Sequence, residues 1–187
     1  MLIRTYGLFW RVEEIDWYPK RGGGRNQIPR FALLGRVGAS RGANLRVCDF
    51  HDQRGIYVLY GNYGPHYVGL SSERGLGSRL REHLTDTHSD AWDRFCWFGF
   101  RGVRNGRNTL GLYDLAPIAV NKRVNQREMI RELEAMLIAG MGLSNIRPGR
   151  FPVGHEWIQV RRDERDTLPL KPGRRPPEPR RYRWRWY

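Results

Sequence analysis

The sequence predicts a mixed α+β (α/β) fold with a small sheet, mixed or antiparallel, that is flanked by helices. Three observations point to this fold: strand-like runs before residue 54, a hairpin pattern at residues 55–69, and alternating strand-like and helical patterns up to residue 141. Alternation of this kind is typical of domains in which helices pack on a sheet. With 187 residues, the chain is long enough for one domain with a hydrophobic core.

The region before residue 54 is expected to be rich in β-structure. Residues 2–10, 31–37 and 45–50 combine apolar and polar residues in strand-like compositions. A basic, glycine-rich loop at residues 19–25 separates the first two of these segments. We therefore expect a β-rich N-terminal extension over residues 1–53, which could pack on the domain that follows.

Residues 55–69 predict a β-hairpin that carries a tyrosine on each strand. The triplets Gly-Ile-Tyr at 55–57 and Tyr-Val-Gly at 67–69 belong to two short apolar runs. The link at residues 61–65, Gly-Asn-Tyr-Gly-Pro, consists of residues that tolerate a positive φ or preset the backbone for a turn. We expect Gly55 and Gly69 to be required where strands approach closely.

Two helices are expected after the hairpin. Leu76, Leu80 and Leu84 form the apolar stripe of a helix over residues 76–84. A longer helix is predicted over residues 125–141, with glycines near its C-terminus. Strand and helix therefore alternate through the middle of the chain.

Between the two helices, the sequence predicts further strands. The aromatic-rich run at residues 92–100 is expected to form a buried strand. The Asn-Gly pair at residues 105–106 predicts a turn, and residues 109–115 are a further candidate strand.

The charge of the chain favours a polyanionic partner. The formal net charge is +14, and lysine accounts for very few of the basic residues. Such a balance favours nucleic acid first and an anionic membrane second. Arginine binds phosphate through two parallel hydrogen bonds, which lysine cannot match. Biased codon usage explains the preference for arginine equally well, but it does not explain the net charge.

The cysteines and the apolar segments of the sequence indicate in which cellular compartment the protein is expected. Cys48 and Cys96 do not form a C-x-x-C pair, which argues against a disulfide framework and a cysteine zinc site. The first residues lack the long apolar core of a signal peptide, and the longest apolar stretches are too short to span a bilayer. We expect a reduced, cytoplasmic protein that is not bound to a membrane.

The first predicted helix carries a possible phosphate-binding pair. Arg79 and His83 are four residues apart and therefore share a helix face. This face lies beside the leucine stripe, where the hairpin should pack, so a cation held there can point at a phosphate. The alternative is an ordinary pair of surface residues.

The longer helix carries a possible metal ligand. Glu134 lies four residues from an isoleucine on either side, which predicts that it shares the buried stripe. Glu128 and Glu132 lie on another face and are expected to be solvated. A buried carboxylate needs a cation or a metal ion. Two interpretations of Glu134 stay open: a buried salt bridge, for instance to Arg79, and a metal ligand.

The last segment, residues 163–187, is expected to be an extended or disordered basic tail, because prolines alternate with arginines. Arginines interleaved with aromatic residues suit phosphate contact combined with base stacking. The alternatives are docking on the chain's own domain and binding of a partner protein. The tail residues expected to contact nucleic acid are Arg174, Arg175, Arg180, Arg181, Arg183, Trp184, Arg185 and Trp186.

The order, types and spacing of these motifs resemble those of the GIY-YIG nuclease family. The resemblance rests on the two triplets of the hairpin, the Arg79-x-x-x-His83 pair, Glu134 and Asn145. His88 falls where some homing-endonuclease members place another histidine. These blocks cover residues 54–150, about half of the chain, and we expect a GIY-YIG-like nuclease domain over residues 54–162.

The resemblance implies an endonuclease that hydrolyses phosphodiester bonds with one divalent ion, Mg²⁺ or Mn²⁺, held by Glu134. DNA is expected as the partner rather than RNA. The alternative is a catalytically inactive nucleic-acid-binding module on the same fold.

The resemblance also implies roles for the other motif residues. Tyr57 would be the general base or the group that positions water, and Tyr67 would orient the water or a phosphate oxygen. Arg79 would stabilise negative charge on the phosphate, and His83 would assist proton transfer or hold the phosphate. Two further residues, His88 and Asn145, are possible additions to the site.

Overall fold

A computed structural model describes residues 2–17, 31–39, 41–118, 126–142, 151 and 153–173. For residues 126–130 it describes the backbone alone. These residues form an α+β fold, as the sequence predicts. The strands are β1 Thr5–Arg11, β2 Leu34–Val37, β3 Arg46–Asp49, β4 Gly55–Gly61, β5 Gly64–Ser71, β6 Arg94–Gly99, β7 Val103–Arg107, β8 Tyr113–Leu115, β9 His155–Glu156 and β10 Ile158–Gln159. The helices are α1 Leu76–Glu82 and α2 Gln126–Gly140, with short 3₁₀ turns at Val12–Glu14 and Arg165–Thr167.

The first sheet contains the hairpin and has the strand order β5-β4-β6-β1-β9. Its pairs are antiparallel except for β1 with β9, which are parallel. The N-terminal strand β1 therefore pairs directly with β6, the neighbour of the hairpin strand β4. The division of the chain into residues 1–53, 54–162 and 163–187 stays a prediction, and this sheet joins strands from both sides of the first boundary.

The second sheet has the order β10-β2-β3-β8-β7. Strands β3 and β8 are parallel, and the other pairs are antiparallel. The strand segments predicted before residue 54 are thus divided between two sheets, because β1 joins the first and β2 and β3 join the second.

The two faces of the first sheet are covered by different elements. Along β4, alternate side chains point to opposite faces, as in any strand. Tyr57 and Leu59 belong to a core cluster that also contains residues of α1 and the second sheet. Val58 and Tyr60 belong to a separate cluster with Ala139 of α2. Helices α1 and α2 therefore lie on opposite faces of this sheet.

Several predicted elements are confirmed by the structure. The hairpin forms from β4 and β5, with Gly61 paired to Gly64 across the turn. The aromatic-rich run contains the buried strand β6. Both helices lie within their predicted ranges, to within a residue or two at each end.

Between the helices, one prediction is wrong and another is only partly confirmed. The Asn-Gly pair at residues 105–106 lies within β7 rather than in a turn. The strand predicted over residues 109–115 is shorter in the structure, where β8 covers Tyr113–Leu115. The preceding residues turn instead, because the side-chain oxygen of Asn108 accepts hydrogen bonds from the backbone nitrogens of Leu110 and Leu112. Within the described ranges, no helix is long and apolar enough to cross a membrane.

Candidate active site

A β-bulge shapes the hairpin next to its turn. Leu59 pairs with Tyr67 and Tyr60 pairs with Pro65, so His66 is an extra residue on β5 without a partner on β4. A bulge re-aims side chains that would otherwise alternate between the faces of the sheet. His66 and Tyr67 are neighbours in sequence, yet both rings contact His88, with centroids 5.2 and 4.5 Å away.

The glycine of the second triplet makes room for the tyrosine of the first. Gly69 pairs with Tyr57 across the hairpin. A Cβ atom at residue 69 would lie 2.1 Å from Cζ and 2.2 Å from the hydroxyl oxygen of Tyr57. At Gly55, a Cβ atom would lie 2.0 Å from the carbonyl oxygen of Phe98. The expectation that both glycines serve close approach is confirmed.

The hydroxyl group of Tyr57 ends a chain of hydrogen bonds that runs from the core to the surface. It lies 2.8 Å from Nε2 of His83, and Nδ1 of His83 lies 2.7 Å from Oδ2 of Asp86. Because the carboxylate can only accept, Nδ1 of a neutral His83 carries the proton and Nε2 accepts the hydrogen bond of the tyrosine. The main-chain carbonyl of His83 also accepts a hydrogen bond from Nε1 of Trp92, at 3.2 Å.

Burial and charge act in opposite directions on the pKa of Tyr57. The side chain is fully buried, and this desolvation raises the pKa of its hydroxyl above the usual range for tyrosine. The adjacent guanidinium of Arg79 favours the phenolate and offsets part of this rise. Tyr57 is therefore neutral at neutral pH and able to donate a hydrogen bond to His83.

The carboxyl group of Asp86 has a lowered pKa. Desolvation is the largest single effect and raises this pKa, but the hydrogen bonds from the backbone nitrogen of His88 and from the ring of His83, together with the nearby imidazoles, outweigh it. Asp86 is therefore ionised at neutral pH and holds the ring of His83 in a fixed orientation.

Arg79 forms an ion pair with Glu82 on the solvent side of this network. Glu82 also pairs with Arg74, and the three side chains are partly exposed. The sequence-based alternative that Arg79 is the partner of Glu134 is therefore wrong. Arg79 is adjacent to Tyr57 and partly exposed, so its guanidinium is accessible to solvent.

The structure thus brings together five residues of the predicted site. Tyr67 is half-buried, and its ring lies over the network, with its centroid 6.3 Å from that of Tyr57 and 5.0 Å from that of His83. His88 completes the group, with its ring centroid 5.3 Å from that of His83. The five residues are Tyr57, Tyr67, Arg79, His83 and His88.

Glu134 does not join this group. Its side chain is exposed, whereas Glu132 is buried, so the predicted roles of these two positions on α2 are reversed. Oε2 of Glu132 accepts a hydrogen bond from the backbone nitrogen of Leu2 at 2.7 Å. Glu132 shares its helix face with Ala135 and Ala139, which pack against the face of the first sheet opposite Tyr57.

The metal ion that the resemblance implies therefore does not fit at the predicted ligand. Glu134 lies on a helix on the other side of the sheet from Tyr57, and a metal ion cannot bind both regions at once. Two sets of predicted residues lie outside the described part of the chain. They are Asn145 and the tail residues Arg174, Arg175, Arg180, Arg181, Arg183, Trp184, Arg185 and Trp186.

Sequence reasoning missed three residues of the site: His66, Glu82 and Asp86. Glu82 follows Arg79 by three residues on α1, which is a spacing typical of helical ion pairs. Asp86 lies between His83 and His88, so the pattern His-x-x-Asp-x-His contained a signal. The sequence contained no signal for His66, because its position depends on the bulge.

Comparisons of the chain with protein-family models, with curated proteins and with solved structures found no match. What the site can do is therefore inferred from its own residues.

Proposed function

We propose that the chain is an endonuclease that hydrolyses phosphodiester bonds of DNA with a GIY-YIG-type site. One observation carries the proposal: Tyr57, Arg79 and His83 lie together, with Tyr57 bonded to His83 and next to Arg79. These residues come from the hairpin and from α1, whose motifs carry the resemblance. A buried tyrosine–histidine pair beside an arginine combines a proton acceptor with a phosphate-binding cation.

The hydrogen-bond chain gives a path for the proton of the attacking water. Asp86 keeps the Nδ1 proton on His83, so Nε2 is free to accept a proton. As water attacks phosphorus and the bond to the leaving sugar oxygen breaks, the proton of the water passes to the oxygen of Tyr57 while the proton of Tyr57 passes to Nε2 of His83. Because both transfers occur together, Tyr57 does not become a phenolate, and its raised pKa is no obstacle. The leaving oxygen takes up a proton from solvent.

Arg79 would bind the phosphate and stabilise the charge of the transition state. Its guanidinium is partly exposed and lies next to the hydroxyl of Tyr57. A preorganised cation at this position favours the transition state more than the substrate as negative charge develops. Tyr67, half-buried at the edge of the same group, would orient the water or a phosphate oxygen.

The phosphate must displace Glu82 before it can bind. Glu82 occupies the guanidinium of Arg79 and also pairs with Arg74. Such partly exposed ion pairs contribute about 0–1 kcal/mol, so a backbone phosphate, with its single negative charge, can compete with the carboxylate. When Glu82 moves away, the guanidinium of Arg79 is free to bind the phosphate.

Binding to nucleic acid would draw on the net charge of +14. The basic tail predicted over residues 163–187 is part of this proposal. Removal of residues 174–187 should weaken binding and reduce the slope of log affinity against log salt concentration, because fewer phosphates would be neutralised. An unchanged slope would show that the tail does not contact phosphates. A cytoplasmic location stays a prediction.

A second candidate function is a nucleic-acid-binding module that does not cleave. Two observations favour it: the side chain of Tyr57 is fully buried, and Glu134 is exposed on a helix across the sheet. Binding without cleavage under every divalent ion, Mg²⁺ and Mn²⁺ included, would support this candidate over the nuclease.

A nuclease panel tests the proposal. The purified full-length chain is incubated with single- and double-stranded DNA and RNA, and cleavage by the native chain is compared with that by Arg79→Ala. Arg11→Ala is the matched control, since Arg11 is an exposed arginine on β1 that forms a surface ion pair with Glu13. We expect Arg79→Ala to lower the cleavage rate by about 100-fold or more, and Arg11→Ala to retain it. Equal loss in both variants would contradict the proposal.

A further inference from the structure

Three of the chain's five histidines lie together at the tip of the hairpin. The ring of His88 lies between the other two, with its centroid 5.2 Å from that of His66 and 5.3 Å from that of His83. Asp86 lies in the same turn, between His83 and His88 in sequence. The acidic and imidazole groups that transition metals prefer are therefore concentrated beside the proposed active site.

The distances between the potential ligand atoms can be compared with those in a metal site. One ligand atom each from His83, Asp86 and His88 lies within 4.8 Å of the other two. Nδ1 of His83 is 2.7 Å from Oδ2 of Asp86. In a tetrahedral zinc site, with bonds of about 2.0–2.2 Å, the ligand atoms are about 3.3 Å apart. A small opening of this pair would therefore admit an ion.

His66 lies beside His88, outside the group of three, and would have to move closer to the other two residues to supply a fourth ligand. Its Nε2 atom is 3.1 Å from Nδ1 of His88, which is close to the separation of two imidazole nitrogens on one ion. The bulge in β5 is what turns His66 toward His88. We propose that His83, Asp86 and His88 bind one divalent transition-metal ion, Zn²⁺ in particular, with the fourth position open to His66.

The chemistry of these groups selects against Mg²⁺. Magnesium prefers oxygen ligands and retains its waters, whereas imidazole nitrogen suits zinc and its neighbours in the first transition row. The site has two or three imidazoles and one carboxylate. It is therefore distinct from the magnesium or manganese site at Glu134 that the resemblance implies, and it lies on the other side of the first sheet.

Outer hydrogen bonds already hold the ligands in place. Oδ1 of Asp86 accepts a hydrogen bond from the backbone nitrogen of His88 at 2.8 Å, so the other carboxylate oxygen faces His83. Nε2 of His83 is held by the hydroxyl of Tyr57. Such outer partners orient the ligands of metal sites and account for part of their affinity.

Metal binding would reverse the hydrogen bond between His83 and Tyr57. With the ion on Nδ1, a neutral His83 carries its proton on Nε2 and donates to the tyrosine oxygen. While the ion is bound, Nε2 of His83 already carries a proton and cannot accept one from Tyr57. Metal binding and the proposed proton transfer therefore exclude each other. This consequence rests on the proposed function, but metal binding itself does not.

Metal binding is tested on the untagged full-length chain without nucleic acid. After treatment with a chelator, binding of Zn²⁺ and Co²⁺ is measured by equilibrium dialysis and by the visible absorption of Co²⁺, and thermal unfolding is followed with each ion. We expect one ion per chain, a cobalt spectrum with nitrogen ligands, and a higher Tm with Zn²⁺. Mg²⁺ at the same concentration should not change the Tm.

Variants locate the ion. Asp86→Asn and His88→Gln should each lower the affinity by more than about 10-fold, since even outer partners of metal sites change affinity by about 10- to 100-fold. His155→Gln is the matched control, because His155 is exposed on β9 and remote from this cluster. Asp86 is exposed and His88 half-buried, so both variants should fold.

Two results would overturn the proposal: no zinc or cobalt binding by the native chain, or binding that Asp86→Asn and His88→Gln leave unchanged. A chain that binds Zn²⁺ through these residues and cleaves no substrate would support the metal site and count against the nuclease. Cleavage of a substrate without zinc or cobalt binding would support the nuclease and count against the metal site.

Discussion

The hydroxyl oxygen of Tyr57 and Nε2 of His83 lie 2.8 Å apart, although 26 residues separate them in sequence. Two packing contacts produce this distance. Gly69 leaves space for the tyrosine ring within the hairpin, and Leu80 holds α1 against the same face of the sheet. The interaction therefore depends on the hairpin and on α1 together.

Tyr57→Phe should lower the rate of DNA cleavage by about 100-fold or more, the usual contribution of a proton-transfer group. The phenyl ring fills the same space, so folding should be retained, but the proton path to His83 is broken. Cleavage rates and thermal unfolding are measured on the same samples.

Tyr60→Phe is the control for this variant. Tyr60 lies on the same strand, but it points to the opposite face, where its hydroxyl donates to the carbonyl oxygen of Gly140. We expect its loss to affect stability and to spare cleavage. A similar loss of cleavage in both variants would mean that Tyr57 acts through the fold rather than through its hydroxyl.

Glu82→Gln should strengthen binding of nucleic acid. Glu82 competes with phosphate for Arg79, and glutamine removes the negative charge at nearly the same size. A gain in affinity of about 2- to 5-fold is the size expected of a partly exposed ion pair. Filter binding at a fixed low salt concentration measures it, and the gain should shrink as salt screens the charges. A weaker complex would show that Glu82 supports Arg79 rather than competing with it.

Gly69→Ala should destabilise the chain by about 1–3 kcal/mol, as overpacking of a filled core does. The added methyl group would overlap the ring of Tyr57, which would have to move away from His83. The variant should therefore lose cleavage activity as well as stability. Urea unfolding of Gly106→Ala provides the comparison, since a Cβ atom at residue 106 meets nothing within 4 Å. Equal stability of the two variants would contradict the crowding at Gly69.

The hairpin and the first helix were predictable because local rules determine them. Turn-forming residues mark the link between β4 and β5, and the leucine stripe marks α1. The bulge at His66 was not predictable in the same way. Its extra residue is compatible with many hairpins, and its direction follows from packing against His88, which is remote in sequence.

The buried face of α2 was mispredicted because the isoleucines four residues on either side of Glu134 were taken to mark its core side. Leu133 and Leu137 are exposed, at 42% and 58% of their surface, while Ala135 and Ala139 are buried. A Cβ atom at Gly140 would lie 3.6 Å from the hydroxyl of Tyr60, which is ordinary van der Waals contact with a side chain of the sheet. Small residues mark the buried face of such a helix better than large ones.

Variants of the two glutamates on α2 test this orientation. Glu132→Ala leaves the backbone nitrogen of Leu2 without its acceptor and should cost about 1–3 kcal/mol of unfolding free energy. Glu134→Ala changes an exposed side chain and should stay within about 0.5 kcal/mol. Urea unfolding compares the two. If Glu134→Ala were the more destabilising variant, the helix would present the other face to the sheet.

The thiol of Cys96 should cause the free energy of unfolding to fall at alkaline pH. Burial raises the pKa of its thiol from 9.0 to about 11, and the hydrogen bond from the backbone nitrogen of Phe9 offsets only part of this shift. Above pH 9 the thiol ionises in the unfolded chain while it stays protonated in the folded one. The unfolded state then binds fewer protons, so stability falls as the pH rises from about 9 to about 11.

Cys96→Ser separates this effect from the titration of other groups. A serine hydroxyl can still accept the hydrogen bond from Phe9, but it does not ionise in this range. Unfolding free energies of the two proteins are compared at pH 8 and pH 11. We expect the difference to shift in favour of the serine variant by roughly 2–3 kcal/mol, which is the free energy of a pKa change from 9 to 11. Parallel pH profiles would mean that the thiol of Cys96 ionises equally in the folded and unfolded chain, and is therefore not buried as the packing of β6 requires.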